Sequence, residues 1–174
     1  MGKMIRKARI EDVDAIVALL KGYAEQGLLL PRPKQSVCET LLGFRVAEDN
    51  GTVVGTAALH ILGDDIAEIR SLAVAQSAQG KGYGRLLVEA LMAEAETVGV
   101  PRVLALTYQE KFFARQQFHV VEKGTLHQKI WKDCIHCKKF PFCDEVAMIR
   151  LTAVGAAATS AVDVPGDVSP VHAM

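Results

Sequence analysis

The chain has 174 residues, of which 50% are hydrophobic and 23% are charged, which suits a single globular domain. Twenty basic residues match twenty acidic ones, so a nucleic-acid-binding protein that depends on a generally basic surface is excluded. The apolar runs are shorter than the ~20 residues of a spanning helix, and the first residues lack the apolar core of a signal peptide. We therefore expect a cytoplasmic protein that binds neither nucleic acid nor membrane.

The first half of the chain switches between helical and strand periodicity. Apolar residues recur every three or four positions in the predicted helices, and they alternate or cluster in the predicted strands. These helices cover residues 10–26 and 35–42, and the strands cover residues 44–48, 52–61 and 67–74. Gly27 is expected to end the first helix. The Asn50-Gly51 pair between the first two strands favours the tight turn of a β-hairpin.

The second half contains the clearest helical stripe in the sequence, which Gly99 and Pro101 close. The predicted helices here cover residues 85–98 and 109–116, and the strands cover residues 103–108, 118–122 and 146–151. A hairpin followed by strands that alternate with helices predicts an α/β (α+β) fold. Its centre is expected to be a mixed, mostly antiparallel sheet flanked by helices.

Residues 152–174 differ in composition from the rest of the chain. They contain no Lys, Arg or aromatic residue and are rich in Ala, Val, Gly, Pro and Ser. A segment of this kind buries too little apolar surface to offset the entropy lost when it becomes ordered. We therefore expect a disordered tail behind a single domain that spans residues 1–151.

A glycine-rich turn joins the strand at residues 67–74 to the helix at residues 85–98. Residues 79–84 read Gln-Gly-Lys-Gly-Tyr-Gly, and glycine at alternate positions lets the backbone N–H groups approach a phosphate closely. The helix N-terminus that follows also favours an anion. Because the Gly-Lys-Ser/Thr ending of a nucleotide P-loop is missing, two interpretations stay open: a phosphate-binding turn and a purely structural one.

The context of the turn resembles the acetyl-CoA signature of the GNAT N-acetyltransferases. Gln-x-x-Gly-x-Gly follows the strand IRSLAV and precedes an amphipathic helix, and the resemblance extends over roughly residues 5–122. It implies an enzyme with acetyl-CoA as co-substrate, whose pantetheine arm pairs with the strand and whose pyrophosphate binds the turn. The implied cofactor-binding residues are Leu72, Ala73, Val74, Gln79, Gly80, Lys81, Gly82, Tyr83, Gly84 and Arg85. Core packing is the alternative for the strand residues.

A narrower resemblance concerns the segments EQGLLLPRP, AALHIL, EIRSLAV and VLALT. They are similar to the acetyltransferase domain of bacterial N-acetylglutamate synthases. The resemblance implies direct acetyl transfer, in a ternary complex, to the α-amine of L-glutamate, a first step towards arginine. It places Arg32 where an arginine binds a substrate carboxylate, a role that suits a planar bidentate donor, although a solvated loop charge is the alternative. His60 could line the acceptor pocket or be a structural histidine.

Other functions remain open at this point. The acceptor could be another small amine or a protein N-terminus, and the chain could be a non-catalytic CoA-binding or zinc-binding regulatory module. The resemblance also implies an arginine from the C-terminal strand region, yet no arginine occurs in residues 116–149. The sequence is compatible with a homodimer and does not require one.

Direct transfer needs a base for the acceptor ammonium and an acid for the departing thiolate. The resemblance places a proposed base at Glu68, for which an edge-strand ion pair with Arg70 is the alternative. Thr107 falls where related synthases carry a small hydroxyl residue, and Tyr108 is a second candidate acid. The tyrosine that serves as the acid in much of the wider family is Phe113 here, which has no proton to give.

Three cysteines lie close together in a Cys-rich insert at residues 131–145. Cys134, Cys137 and Cys143 could provide three thiolates for tetrahedral zinc, with a nearby nitrogen or carboxylate as the fourth ligand. Free thiols packed among apolar residues and a redox switch are the alternatives. A structural zinc ion is therefore one of three interpretations of this segment.

Overall fold

The computed structural model describes residues 2–126 and 145–162, with only the backbone of residues 160–162. The strands are β1 (Lys3–Lys7), β2 (Phe44–Asp49), β3 (Thr52–Ile61), β4 (Ile66–Val74), β5 (Arg102–Thr107), β6 (His119–Val120) and β7 (Val146–Leu151). The helices are α1 (Val13–Glu25), α2 (Lys34–Glu39), α3 (Tyr83–Val98), α4 (Glu110–Arg115) and α5 (Ala153–Val162). Every element predicted within these residues is present, with shifted ends.

The described strands form one sheet in the order β1-β2-β3-β4-β5-β7-β6. The β4 and β5 pair is parallel, and the other neighbours are antiparallel. The predicted fold, a mixed and mostly antiparallel sheet flanked by helices, is confirmed. The β2–β3 hairpin is confirmed too, because Asn50 and Gly51 have the positive φ angles of 50° and 84° that such a turn needs. None of the described helices is both long and apolar enough to cross a bilayer.

Helices cover both faces of the sheet. On one face, here called the α3 face, Leu87, Val88 and Leu91 of α3 lie in a core with residues of β2 to β5. On the opposite α1 face, α1 contributes Ile16 and Leu20 to a second core that includes residues of α2, β2 and β3. Since side chains alternate along a strand, the position of a residue in β4 or β5 decides which of these faces it serves.

The chain continues past β7 as a helix, so the prediction of a disordered tail is wrong for residues 153–162. Thr152 is buried, and its hydroxyl donates to the Val100 carbonyl at 2.7 Å and accepts the Gly155 N–H at 3.4 Å, which caps the helix. A Cβ at Gly155 would collide with the Pro101 carbonyl oxygen, so only glycine allows this approach. Residues 163–174 lie outside the described residues.

Candidate active site

A gap between β4 and β5 is the first feature of the site. The parallel pairing of these strands covers three positions and ends at Glu68 and Leu104, although β4 continues to Val74 and β5 to Thr107. Beyond Glu68, this edge of β4 has no strand partner in the described part of the chain. Such an edge presents N–H and C=O groups that an extended ligand can bind.

A β-bulge interrupts β4 beside the gap. Arg70 and Ala73 lie opposite residues of β3 that are only two positions apart, so β4 carries one extra residue here. Ser71 takes the left-handed conformation, with φ of 57°. Because Ala73 pairs with β3 and backbone groups alternate along the strand, the gap is faced by the N–H and C=O groups of Leu72 and Val74. Of the three strand residues predicted to bind the cofactor, Leu72 and Val74 thus direct these groups to the gap, whereas Ala73 directs them to β3.

The glycine turn lies at the end of this edge. Gly80 and Gly82 have φ angles of 76° and 88°, in the region that favours glycine, and nothing lies within 4 Å of a Cβ built on either residue. Helix α3 begins directly after the turn, so the N–H groups of residues 80–85 find no backbone carbonyl among the described residues. They form a set of open donors at the positive end of the helix dipole.

The side chains of the turn have different surroundings. Lys81 and Arg85 are exposed, whereas Tyr83 is buried in the core, and burial raises the pKa of its hydroxyl. The part predicted for Tyr83 in cofactor binding is thus limited to its backbone. Lys3 of β1 donates from Nζ to the Lys81 carbonyl, and its ammonium lies 5.2 Å from the centre of the Tyr83 ring. A positive charge from β1 therefore stands beside the turn.

Tyr23, in the last turns of α1, reaches the free edge of β4. Its hydroxyl donates to the Val74 carbonyl at 2.9 Å and accepts the Val74 N–H at 3.2 Å. The Gln79 amide donates to the same hydroxyl at 3.2 Å and to the Val74 carbonyl at 3.4 Å. One phenol thus connects α1, the edge of β4 and the glycine turn.

On the α1 face, Arg32 is held by hydroxyl groups. Its Nη1 donates to Ser71 Oγ at 3.0 Å, while Nη2 donates to Ser36 Oγ at 3.1 Å and to Thr40 Oγ1 at 2.8 Å. The guanidinium carbon lies 5.2 Å from the centre of the Phe44 ring. Nη1 carries two N–H groups and has a single acceptor among the described residues, so one donor remains open.

The charge of Arg32 has no counterion in the described part of the chain. No described carboxylate lies within 4.0 Å of its guanidinium nitrogens. Burial lowers the pKa of Arg32 below its ordinary value, and the positive charge of Arg70 lowers it further. A partly buried cation with neutral partners and a like charge nearby favours an anionic ligand.

Glu68 stands on the same face, opposite His60 in the β3–β4 register. It is 7% exposed, and its Oε2 accepts a hydrogen bond from Arg70 Nε at 2.8 Å. The ion pair with Arg70, the alternative interpretation of Glu68, is therefore present. It does not exclude a chemical role, because a carboxylate has several acceptor sites.

The two candidate acids lie at the end of β5. Thr107 is buried, and its Oγ1 accepts the Gln109 N–H at 2.7 Å, while its own proton has no acceptor within residues 2–126 and 145–162. Val103 and Ala105 pack on the α3 face, so alternation directs Thr107 to that face and Glu68 to the other. Tyr108 follows the strand and is partly buried. The structure thus brings Arg32, His60 and Glu68 to the α1 face and directs Thr107 to the α3 face.

Phe113 has a packing role. It is 5% exposed and makes edge-to-face contacts with Phe112 and Phe118, with ring centres 5.1 and 5.2 Å away. Gln117, with φ of 68°, occupies the left-handed position that ends α4: its N–H donates to the Ala114 carbonyl, and the next N–H donates to the Phe113 carbonyl. Gln117 therefore ends α4 in the left-handed conformation that glycine usually adopts at this position.

The remaining candidates are not part of this arrangement. Cys134, Cys137 and Cys143 lie outside the described residues, as does most of the Cys-rich insert; within residues 2–126 and 145–162 no group of three potential metal ligands occurs. Arg150, the arginine of β7, donates to Glu89 Oε1 at 2.7 Å, and this ion pair ties it to α3.

Residues 15–120 match the model of the acetyltransferase (GNAT) family. The chain belongs to this family. As a GNAT acetyltransferase it uses acetyl-CoA as co-substrate, and the site fits that molecule: the open donors at residues 80–85 suit its pyrophosphate, and the free edge of β4 suits its extended, amide-bearing arm.

Relatives extend this result. An uncharacterized N-acetyltransferase of Chlorobaculum tepidum is 41% identical over 146 residues, which are 84% of this chain and 94% of that protein. An amino-acid acetyltransferase of Mycobacterium tuberculosis is 38% identical over 122 residues, or 68% and 70% of the two chains. The structure of N-acetylglutamate synthase from Neisseria gonorrhoeae, complexed with coenzyme A and N-acetyl-glutamate, matches with a TM-score of 0.79 at 29% identity, covering 87% of this chain and 35% of that one.

Several residues of the site were not identified from the sequence. Tyr23 lies in the apolar stripe of α1 and was interpreted as core; the usable signal is that a partly buried phenol needs a hydrogen-bond partner. Ser36, Thr40 and Ser71 are ordinary polar residues whose contact with Arg32 depends on tertiary structure. Lys3 carried no local signal at all.

Proposed function

We propose that this GNAT enzyme acetylates amino acids and that its acceptor is the α-amine of L-glutamate, with direct transfer in a ternary complex. The observation that carries the proposal is the guanidinium of Arg32, a cation that has no counterion among the described residues and stands on the α1 face beside the gap. The amino-acid acetyltransferase of M. tuberculosis and the N. gonorrhoeae synthase support it as relatives. As a step towards arginine, the reaction belongs in the cytoplasm.

In this proposal the two substrates approach the gap from opposite faces. The N–H groups of residues 80–85 bind the pyrophosphate of acetyl-CoA, and the edge groups of Leu72 and Val74 pair with its arm. Acetyl-CoA supplies an activated thioester carbonyl. Arg32 binds a carboxylate of the acceptor through its open Nη1 donor, and this contact orients the amine towards the gap.

Glu68 and Thr107 then handle the protons. The Glu68 carboxylate accepts a proton from the acceptor ammonium, directly or through one water molecule, and the freed amine attacks the thioester carbonyl. Thr107 lies on the opposite face, and it or the adjacent Tyr108 donates a proton to the thiolate as the C–S bond breaks. The second proton of the attacking nitrogen then passes to that hydroxyl oxygen, directly or through water, which restores the acid and leaves the amide. His60, opposite Glu68 in the neighbouring strand, lines the acceptor side.

An acceptor panel tests the assignment. Release of free thiol from acetyl-CoA is measured with L-glutamate, L-glutamine, L-aspartate, L-lysine and a short peptide. We expect L-glutamate to give the highest kcat/KM. Equal rates across the panel would contradict glutamate while leaving acetyl transfer intact, and a preference for the peptide would favour a protein N-terminus.

Substitution of the proposed base tests catalysis itself. We expect Glu68→Gln to lower kcat by about 100-fold, in the range typical of a lost general base. Glu89→Gln is the matched control, because Glu89 also pairs with an arginine, Arg150 at 2.7 Å, but lies on α3. Equal activity of the two variants would remove Glu68 from the mechanism, and CoA binding without any turnover would favour a regulatory module.

A further inference from the structure

The hydroxyl of Tyr23 occupies a place that a ligand amide would fill. Val74 directs both its N–H and its C=O away from β3, because the next N–H, of Ala75, donates to the Val54 carbonyl at 2.7 Å. Both groups therefore open onto the gap. The phenol satisfies the two together, as acceptor at 3.2 Å and donor at 2.9 Å. A secondary amide has the same pair of functions, one donor and one acceptor.

Acetyl-CoA bound as proposed must pass this point. Its phosphates lie at residues 80–85 and its thioester lies near Glu68, so the connecting arm runs along the edge of β4 past Val74. That arm carries two secondary amides. Val74 has one N–H and a carbonyl already bonded to Tyr23 and Gln79, so the arm and the phenol compete for the same backbone groups.

We infer that Tyr23 is a positioning residue that holds the edge of β4 in the free enzyme and competes with the cofactor arm at Val74. Resting on the proposed placement of acetyl-CoA, this inference adds a residue of α1 to the cofactor site. The hydroxyl releases its hydrogen bonds to Val74 when acetyl-CoA binds and forms them again when CoA dissociates. The exchange keeps the polar groups of Val74 satisfied in both states and weakens product binding.

Calorimetric titration of the full chain with two probes tests the inference. CoA reaches the edge at Val74, whereas adenosine 3′-phosphate 5′-diphosphate contains the phosphates and lacks the arm. In Tyr23→Phe the ring remains and the competitor is removed, so we expect CoA to bind roughly 2- to 10-fold more tightly, as one hydrogen-bond exchange allows, and to dissociate more slowly. The affinity for the nucleotide is expected to stay unchanged.

Thr97→Ala is the control, since it also removes a hydroxyl, one that bonds to the Ala93 carbonyl within α3. It should leave both affinities and the melting temperature unaltered. Unchanged or weaker CoA binding in Tyr23→Phe would overturn the inference, as would an equal gain for both probes. If the unaltered protein bound no CoA, the proposed function would fail together with the inference. If Tyr23→Phe bound CoA more tightly but the unaltered enzyme transferred no acetyl group to L-glutamate, only the proposed acceptor would be refuted.

Discussion

Arg6 and Arg32 are both partly buried arginines, and their surroundings are opposite. Arg6 of β1 donates to both carboxylate oxygens of Asp12, at 2.7 and 2.8 Å, and from Nε to Glu48 at 2.8 Å. Arg32 donates to the hydroxyls of neutral residues and has Arg70 nearby. Within the described part of the chain, one cation is matched by anions and the other is not.

The pKa shifts record this difference. Hydrogen bonding to Asp12 raises the pKa of Arg6, and the same bonds lower the pKa of the Asp12 carboxyl. For Arg32 the pKa is shifted downward, because burial disfavours the charged form and the nearby positive charge of Arg70 adds to this effect. A buried charge matched within the chain acts in folding, whereas an unmatched charge at an open gap is available to a ligand.

Removal of Arg6 should give the largest change in stability. Arg6→Met leaves Asp12 and Glu48 without their cation in a site where their side chains are 5% and 17% exposed. We expect the free energy of unfolding to fall by about 3 kcal/mol, as for other buried pairs that lose one partner. Urea denaturation measures the change. A loss below about 0.5 kcal/mol would mean that the ion pairs of Arg6 contribute no more than surface pairs do, and the proposed difference between Arg6 and Arg32 would not hold.

Removal of Arg32 should affect binding and spare the fold. In Arg32→Ala we expect kcat/KM for L-glutamate to fall about 30-fold, since a charge-assisted hydrogen bond is worth roughly 2 kcal/mol. The KM for acetyl-CoA and the free energy of unfolding are expected to stay nearly constant. Steady-state kinetics with each substrate varied in turn decides the matter. If stability fell as far as in Arg6→Met, Arg32 would be a structural cation.

Acid titration tests the role of Asp12, the carboxylate that pairs with Arg6. The folded pKa of Asp12 lies below its unfolded value of ~3.9, so the ionised carboxylate stabilises the fold above that value. This contribution disappears as the pH falls through the lower, folded pKa. We expect Asp12→Asn to be about 2 kcal/mol less stable than the unaltered chain at neutral pH, and the two curves to converge in strong acid.

Denaturation of both proteins between pH 7 and pH 2 provides the data. The Asp12 carboxylate also accepts the Arg9 backbone N–H at 2.7 Å. A difference that stays constant over the whole range would mean that Asp12 acts through its shape or this contact rather than through its charge.

An exposed ion pair provides the smallest expected effect. Arg9 lies 3.1 Å from Glu11, and both side chains are more than 60% exposed. We expect Arg9→Ala to change the free energy of unfolding by less than about 0.5 kcal/mol and to leave the kinetics unaltered. A larger loss would show that an ion pair stabilises this protein even when it is exposed to solvent. Burial would then not explain why the pairs of Arg6 matter for stability.

Local signals explain most of what the sequence predicted correctly. The Asn50-Gly51 turn, the apolar stripe of α3 and the glycines at residues 80–84 each act over a few neighbouring positions, so their spacing was sufficient. Arg32 was found through a resemblance, and its three hydroxyl partners were not found because they come from β4, from α2 and from the residue that follows α2. Strand β1 was missed because its five residues gain strand structure only by pairing with β2.

Helix α5 shows the opposite error. The composition of residues 152–174 dominated the interpretation, whereas the decisive contacts belong to Thr152 and Gly155, which fit closely against Val100 and Pro101. The cap at Thr152 forms only where other residues bury this side chain, and these residues lie about fifty positions away in the chain.

The bulge in β4 changes, within one strand, which side chains point to the α3 face and which to the α1 face. Before it, Ala67 and Ile69 point to the α3 face, and after it Leu72 and Val74 do, although these two pairs have odd and even numbers. In the proposed reaction, this one inserted residue lets a single strand serve both substrates, with the groups for the acceptor first and those for the cofactor next. Deletion of Ser71 would restore regular alternation and turn every later side chain of β4 to the wrong face, so at this point the count of residues matters more than their identity.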